Sequence, residues 1–290
     1  MRRLWAAGAA IVMCLVLGGM PVAGQEASPA SSSAELTPAR PPALPPAQPS
    51  DLRLTVLYDN TSTSPELTAD AGFSALVEYG SHTLLFDTGF SGPVLLDNMQ
   101  RLGVDPHAIE AVILSHEHYD HVGGLQALLD TGVRPTVYAP AEFSDSFKEP
   151  VRNQTTLVEV TDAVEVIPGV RTTGPTGANR EQALVVETGD GAVVVTGCAH
   201  PGAAEMVRAA QAVTSSRTAY LVGGLHLFQT PIMDPSVDVP PLITELQEVG
   251  VDRILPAHCT GDVATDLIRA AYGESFTEGG VGRTMTIEAH

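Results

Sequence analysis

The run His116-Glu117-His118-Tyr119-Asp120-His121 places three imidazoles and a carboxylate within six residues. Imidazole nitrogens with a carboxylate oxygen suit zinc, and also iron or manganese. In an extended chain His116 and His118, two residues apart, share one face. Asp120 and His121 follow where the chain turns towards Gly123-Gly124. A solvated polar turn has no need of that register, so the run reads as a metal centre. Other reaction classes lack their parts. The sequence has no Gly-x-Ser-x-Gly elbow, no phosphate-cradling Gly-Lys-Ser loop and no dinucleotide fingerprint. Metal-assisted hydrolysis is the one chemistry with a full set.

These residues need elements to aim them. The histidine run follows an apolar strand, Ala111 to Leu114, and precedes a helical pattern from Val122 to Leu129. Upstream, Leu52 to Tyr58 alternates as a strand, and Phe73 to Tyr79 with His82 to Phe86 predicts a hairpin around Gly80-Ser81. Pro93 to Leu102 reads as a helix closed by Gly103. Thr156 to Val160 and Ala163 to Val166 are strand-like, and Ala183 to Glu187 with Ala192 to Thr196 flank a Gly189-Asp190-Gly191 turn. The last third alternates helix and strand. Ala203 to Val213 is helical, Tyr220 to Val222 a strand, and Leu242 to Val249 a helical face ending at Gly250. Arg253 to Leu255, Val263 to Tyr272 and Arg283 to Ile287 predict a strand, a helix and a final strand. Two packed sheets with helices outside is the economical architecture.

Asp87 ends an apolar strand before Thr88-Gly89, where it reads either as an acceptor orienting an imidazole or as an Asx turn. His200, His226 and His258 each follow a strand, whereas His82, His107 and His290 sit in polar or terminal contexts and read as surface residues.

The motif His-x-His-x-Asp-His resembles that of the metallo-β-lactamase superfamily, and Leu85-Phe86-Asp87-Thr88-Gly89 resembles its strand-ending Asp-Thr-Gly. Val56-Leu57-Tyr58-Asp59-Asn60, Gly72-Phe73-Ser74, Thr196-Gly197-Cys198-Ala199-His200-Pro201-Gly202, Gly223-Gly224-Leu225-His226-Leu227 and Pro256-Ala257-His258-Cys259-Thr260-Gly261 follow in order. Together they resemble the dihydropterin-aminobenzene-phosphate-synthase-like branch, over residues 52 to 290. The resemblance implies an α/β fold, a four-layer αββα sandwich, with metals in a cleft at one edge of the sheets. It implies His116 and His118 for a first metal, and Asp120, His121 and His258 for a second. Most relatives carry a further histidine before the Thr-Gly strand and a bridging aspartate after it. Here Cys198 stands in the aspartate's place, and Asn179, Glu181 and Gln182 stand before the strand. His200 is therefore expected to complete the first site, with Glu181 in reserve. Resemblance also favours the imidazole-orienting role for Asp87. His226 suits a substrate contact or proton donor at the cleft mouth. Two divalent cations, zinc before iron or manganese, would bring a water between them near neutrality, and the resulting hydroxide would attack a carbonyl or phosphorus. Asp120 would be both ligand and proton acceptor.

Composition narrows the partners. Fifteen basic residues, one of them a lysine, face 34 acidic ones, for a formal charge of −19. Such a body repels phosphate backbones and anionic lipid, which argues against nucleic acid. Two cations in the cleft would reverse that locally and could attract an anionic small molecule. Arg2-Arg3, the uncharged run Leu4 to Met20 and the small residues Val22-Ala23-Gly24 predict a signal peptide over 1–24, with an uncleaved anchor as the rival and sole membrane contact. Its removal takes the charge to −21. Residues 25–50 hold seven of the 22 prolines and read as a disordered tether, leaving 51–290 as the catalytic domain.

The expected protein is exported, periplasmic or extracellular, and hydrolyses a small ester, lactone, phosphoester or pterin-like substrate. The rivals are an iron-dependent oxidoreductase of the same fold, a non-catalytic metal- or ligand-binding protein and, as a minor case, a β-lactam hydrolase. Cys198 and Cys259 flank expected ligands, and a disulfide between them or a thiolate ligand from Cys198 both stay open.

Overall fold

The computed structural model describes residues 51–228 and 233–289. The readings of 1–24 as a signal, of 25–50 as a tether and of His290 as a surface residue lie outside the described residues.

Two mixed sheets form the body. The first contains β1 (Leu52–Tyr58), β2 (Ser74–Tyr79), β3 (His82–Phe86), β4 (Ala111–Ile113), β5 (Thr136–Pro140) and β6 (Leu157–Val160). The second contains β7 (Glu165–Ile167), β8 (Val170–Thr172), β9 (Leu184–Thr188), β10 (Gly191–Thr196), β11 (Thr218–Gly224) and β12 (Arg253–Ala257). The last strand, β13 (Thr284–Ile287), returns to the first sheet and pairs antiparallel with β1, giving the order β13-β1-β2-β3-β4-β5-β6. The second sheet runs β12-β11-β10-β9-β8-β7.

Alternation explains the layering. Leu52, Leu54 and Val56 of β1 enter the core between the sheets, whereas Leu57 and Tyr58 enter the core under the helices. In β10, Val193 and Val195 face between the sheets while Ala192 and Val194 face outward. Strands apolar on both sides must be covered on both sides. Helices α1 (Gly92–Arg101), α3 (Leu125–Asp130) and α4 (Asp145–Arg152) cover the first sheet through Leu95, Met99, Leu125, Leu128, Leu129 and Val151. Helices α5 (Ala203–Val213), α6 (Pro235–Glu248) and α7 (Asp262–Tyr272) cover the second. The expected four-layer αββα sandwich is the observed architecture.

Three local readings need correction. The helix expected over 122–129 is two: α2 (Tyr119–Val122) and α3, separated by Gly123-Gly124. The Thr88–Phe90 backbone crosses that gap. A Cβ on Gly123 would lie 2.2 Å from the Phe90 carbonyl oxygen, and one on Gly124 2.1 Å from that of Thr88. The strand expected at Ala163 to Val166 lies at Glu165–Ile167. Helix α6 starts at Pro235, well before Leu242, and contains Pro240 and Pro241 on its exposed side. Its buried Val239, Ile243 and Leu246 hold it against the second sheet, so packing outweighs propensity.

Strand direction places the site. β3 to β6 run parallel, as do β10 to β12. β1 points the same way as β3, since each is antiparallel to β2. The segments after β1, β3, β4, β10, β11 and β12 therefore leave from C-terminal strand ends, the usual place for a site in such sheets.

Candidate metal centre

Those segments carry every expected site residue. Asp59-Asn60 follow β1, Asp87 follows β3, His116 to His121 follow β4, Cys198 to His200 follow β10, His226 follows β11 and His258 follows β12. Four of them, Asp87, Ala199, His226 and His258, have positive φ, from 49° to 57°. Non-glycine residues held there cluster at functional sites.

Among the described residues the donors form five overlapping groups of three, two of which contain no cysteine. Ligand atoms of His116, His118 and His200 all lie within 4.8 Å of one another, and so do those of Asp120, His121 and His258. These are the two triads expected from the sequence. Between them lies the Cys198 sulfur, 3.2 Å from His121 Nε2.

Hydrogen bonds fix which ring nitrogen each histidine presents. Asp87, fully buried, accepts the Ser115 N–H at 2.7 Å, the Ser115 hydroxyl at 2.7 Å and His121 Nδ1 at 2.7 Å. Ser115 Oγ in turn lies 2.9 Å from His116 Nδ1. One carboxylate thus aims a histidine of each triad, one directly and one through a hydroxyl, and its imidazole-orienting reading is the one the geometry supports. Glu181 accepts the backbone N–H groups of Cys198, Ala199 and His200 at 2.7–2.9 Å, and His200 Nδ1 at 2.9 Å. Both its oxygens are occupied, so it aims His200 and does not serve as the reserve ligand. His258 Nδ1 lies 2.9 Å from Asn60 Oδ1, and its backbone N–H donates to Asp59 at 2.8 Å. Sequence reasoning assigned no role to Ser115, Asp59 or Asn60, although Asp59-Asn60 belongs to one of the motifs that carried the resemblance.

His116 Nε2 is buried without a hydrogen-bond partner, and His258 Nε2 is buried against a carboxylate. The His258 nitrogen lies 3.2 Å from Asp120 Oδ2, and His121 Nε2 lies 3.8 Å from the same oxygen. Buried polar atoms normally have partners, and unsatisfied ones signal a missing ion or water. Burial, with the charge of His121 next, pushes His116 down to about 2, which keeps it neutral and able to donate a lone pair. Burial also lowers His118, with His200 adding to it. Burial alone would raise Asp120, but the His258 hydrogen bond and the charge of His121 hold it below the usual carboxylate range. His116 and His118 are thus held neutral beside an ionised Asp120, the donor forms a divalent cation needs, whereas Asp87 raises His121 against the effect of burial.

His226 adjoins the first set. It is exposed, its ring centroid is 4.4 Å from that of His200, and its backbone N–H donates to Cys259 Sγ at 3.2 Å. Cys198 and Cys259 are both buried and unbridged, so no disulfide joins them. His82 pairs with Glu110 at the surface and His107 is exposed, as expected.

The family model of the metallo-beta-lactamase superfamily matches residues 67–267, well over half of the chain. The chain belongs to that superfamily. Among curated relatives it is 26% identical over 273 residues to the 7,8-dihydropterin-6-methyl-4-(beta-D-ribofuranosyl)-aminobenzene-5'-phosphate synthase of Methanocaldococcus jannaschii, covering 77% of this chain and 92% of that protein. This agrees with the branch expected from the sequence motifs. A hydroxyacylglutathione hydrolase of Salmonella typhi is 36% identical over 84 residues, 29% of this chain and 30% of the relative. Among solved structures, Tm1679, a metal-dependent hydrolase of the beta-lactamase superfamily, aligns with a TM-score of 0.68 at 28% identity, over 82% of this chain and 99% of its own. The superfamily member described here thus has hydrolases among its relatives alongside a protein named a synthase.

Proposed function

We propose that this protein is a metal-dependent hydrolase holding two divalent cations, zinc before iron or manganese, one at His116, His118 and His200 and one at Asp120, His121 and His258. The observation that carries this reading is the pair of three-donor sets, in which His116 Nε2 is buried without a hydrogen-bond partner and the Nε2 atoms of His121 and His258 converge on Asp120 Oδ2. Two divalent cations supply an acidified water and neutralise negative charge developing on the substrate.

The residues around the cleft do the rest. Asp87, Glu181 and Asn60 hold the three Nδ1 atoms of His121, His200 and His258, so that each presents Nε2 to the cleft. Asp120, about one-third exposed on its side chain, keeps an oxygen towards solvent and serves as proton acceptor. His226 stands at the mouth as substrate contact and proton donor. The Cys259 sulfur raises its pKa against the effect of burial, which favours the protonated ring such a donor needs. The substrate class is a small ester, lactone, phosphoester or pterin-like molecule, and an anionic one would be drawn to the cations in an otherwise acidic body. Nucleic acid is not a partner in this reading. Export rests on residues 1–24 acting as a signal, which the mass of the mature protein recovered from expressing cells would test.

The deciding experiment loads the purified protein with defined metals and presents chromogenic phosphodiesters, lactones, thioesters and β-lactams. Turnover of one class, lost on chelation and absent in the double variant His116→Ala, His118→Ala, is the expected result. Turnover that survives both treatments would reject metal hydrolysis.

A further inference from the structure

We propose that Cys198 supplies a thiolate ligand shared by both metal positions, standing where a bridging carboxylate would otherwise be needed. The proposal rests on the two-metal reading above and adds to it a ligand that belongs to neither triad. The Cys198 sulfur lies within 4.8 Å of ring nitrogens of His116 and His200 from the first set, and of His121 and His258 from the second. Among these groups it is the one donor that reaches two members of each set. Its distance to His121 Nε2 is 3.2 Å.

The surrounding structure holds the sulfur there. Cys198 is 3% exposed, and its N–H is fixed to Glu181 Oε1 at 2.9 Å. Ala199, at φ 57°, turns the chain immediately after it, so the side chain points in from the end of β10. Gly224 clears the space beside it, because a Cβ there would lie 3.2 Å from Cys198 Cα and 2.8 Å from Cys259 Sγ. The second sulfur has a different task. Cys259 Sγ accepts the His226 N–H at 3.2 Å and lies 3.8 Å from the Cys198 carbonyl oxygen, which ties two loops together.

Bond lengths permit the shared role. A zinc–thiolate bond is about 2.3 Å, and paired catalytic metals stand roughly 3.5–4 Å apart. One sulfur can therefore bond both. On binding, the Cys198 S–H bond breaks heterolytically, the proton leaves to buffer and the sulfur lone pairs go to the metals. A thiolate among imidazoles also biases the centre towards zinc and away from manganese, which prefers oxygen.

Cobalt titration of the full chain tests this, with bound metal measured by dialysis and ligation by absorption. We expect two cobalt ions per chain and a sulfur-to-cobalt charge-transfer band in the near ultraviolet. The band should persist in Cys259→Ser and vanish in Cys198→Ser and Cys198→Asp. Cys198→Asp should keep two metals, because a carboxylate can span the same gap, whereas Cys198→Ser should bind at least about tenfold more weakly. In the cadmium-loaded protein, both metal resonances should carry the signature of sulfur ligation and both should lose it in Cys198→Asp. Two bound cobalt ions without the band, or a band that follows Cys259, would overturn the thiolate while sparing the two-metal reading. Sulfur ligation of only one cadmium would overturn the sharing. Failure to bind cobalt at all would overturn both readings.

Discussion

At the scale of single residues, one carboxylate controls more of the site than its position suggests. Asp87 touches His121 directly and His116 through Ser115, so it couples both triads. Asp87→Asn should weaken metal binding about 10–100-fold at both positions, whereas Ser115→Ala should weaken only the position served by His116. Equilibrium dialysis with zinc would separate the two outcomes. Glu181 offers a pH test in the metal-free protein. Burial alone would raise its pKa, but the His200 hydrogen bond and the backbone N–H groups bring it down to about 2, from an ordinary 4.5. A carboxyl depressed on folding stabilises the native state fully above its unfolded pKa and loses that contribution as pH falls through the folded one. Stability should thus decline between about pH 4.5 and 2, and Glu181→Gln should flatten that decline in acid unfolding followed by circular dichroism. Four of the donors are nearly contiguous and announce a metal centre by themselves, whereas their division into triads and the addition of His200 and His258 came from the family resemblance. The supports were not legible in the sequence. Glu181 meets residues 17 to 19 positions away, and Asn60 meets His258 across 198, with no local pattern to announce either contact.

At the scale of elements, close backbone crossings decide what propensity does not. Gly124 caps α3 at φ −81°, a conformation open to any residue, so its backbone does not require glycine. The Thr88 carbonyl oxygen 2.1 Å from its would-be Cβ does. Gly124→Ala should lower stability by roughly 1–3 kcal/mol, measured by urea unfolding. The same crossing explains why one helix was expected where two exist. Apolar spacing continues through Gly123-Gly124, and only the neighbouring Thr88–Phe90 loop reveals the break. Strands with alternation, such as β1, β2 and β3, were read to within a residue. β5 and β8, five and three residues long, and the helix α4 with Pro150 inside it, carry too little periodic signal to be assigned alone.

At the scale of the whole molecule, charge and connectivity act together. A body with 34 acidic against 15 basic residues should show no binding to DNA or RNA at physiological salt in a filter or mobility assay. β1 starts at Leu52 and is paired on both sides, by β2 and β13. The hydrogen bond from His258 N–H to Asp59 spans 199 positions and joins the segment after the first strand to the segment after the twelfth. Contacts this distant in sequence cannot form until both segments of the chain are present, and closing so long a loop costs entropy. A growing or partly folded chain can display the His116–His121 run long before His258 arrives to complete the second set. Metal acquisition at that position is then a signal that both ends of the domain have met, and a truncated chain would be left able to fill no more than one position.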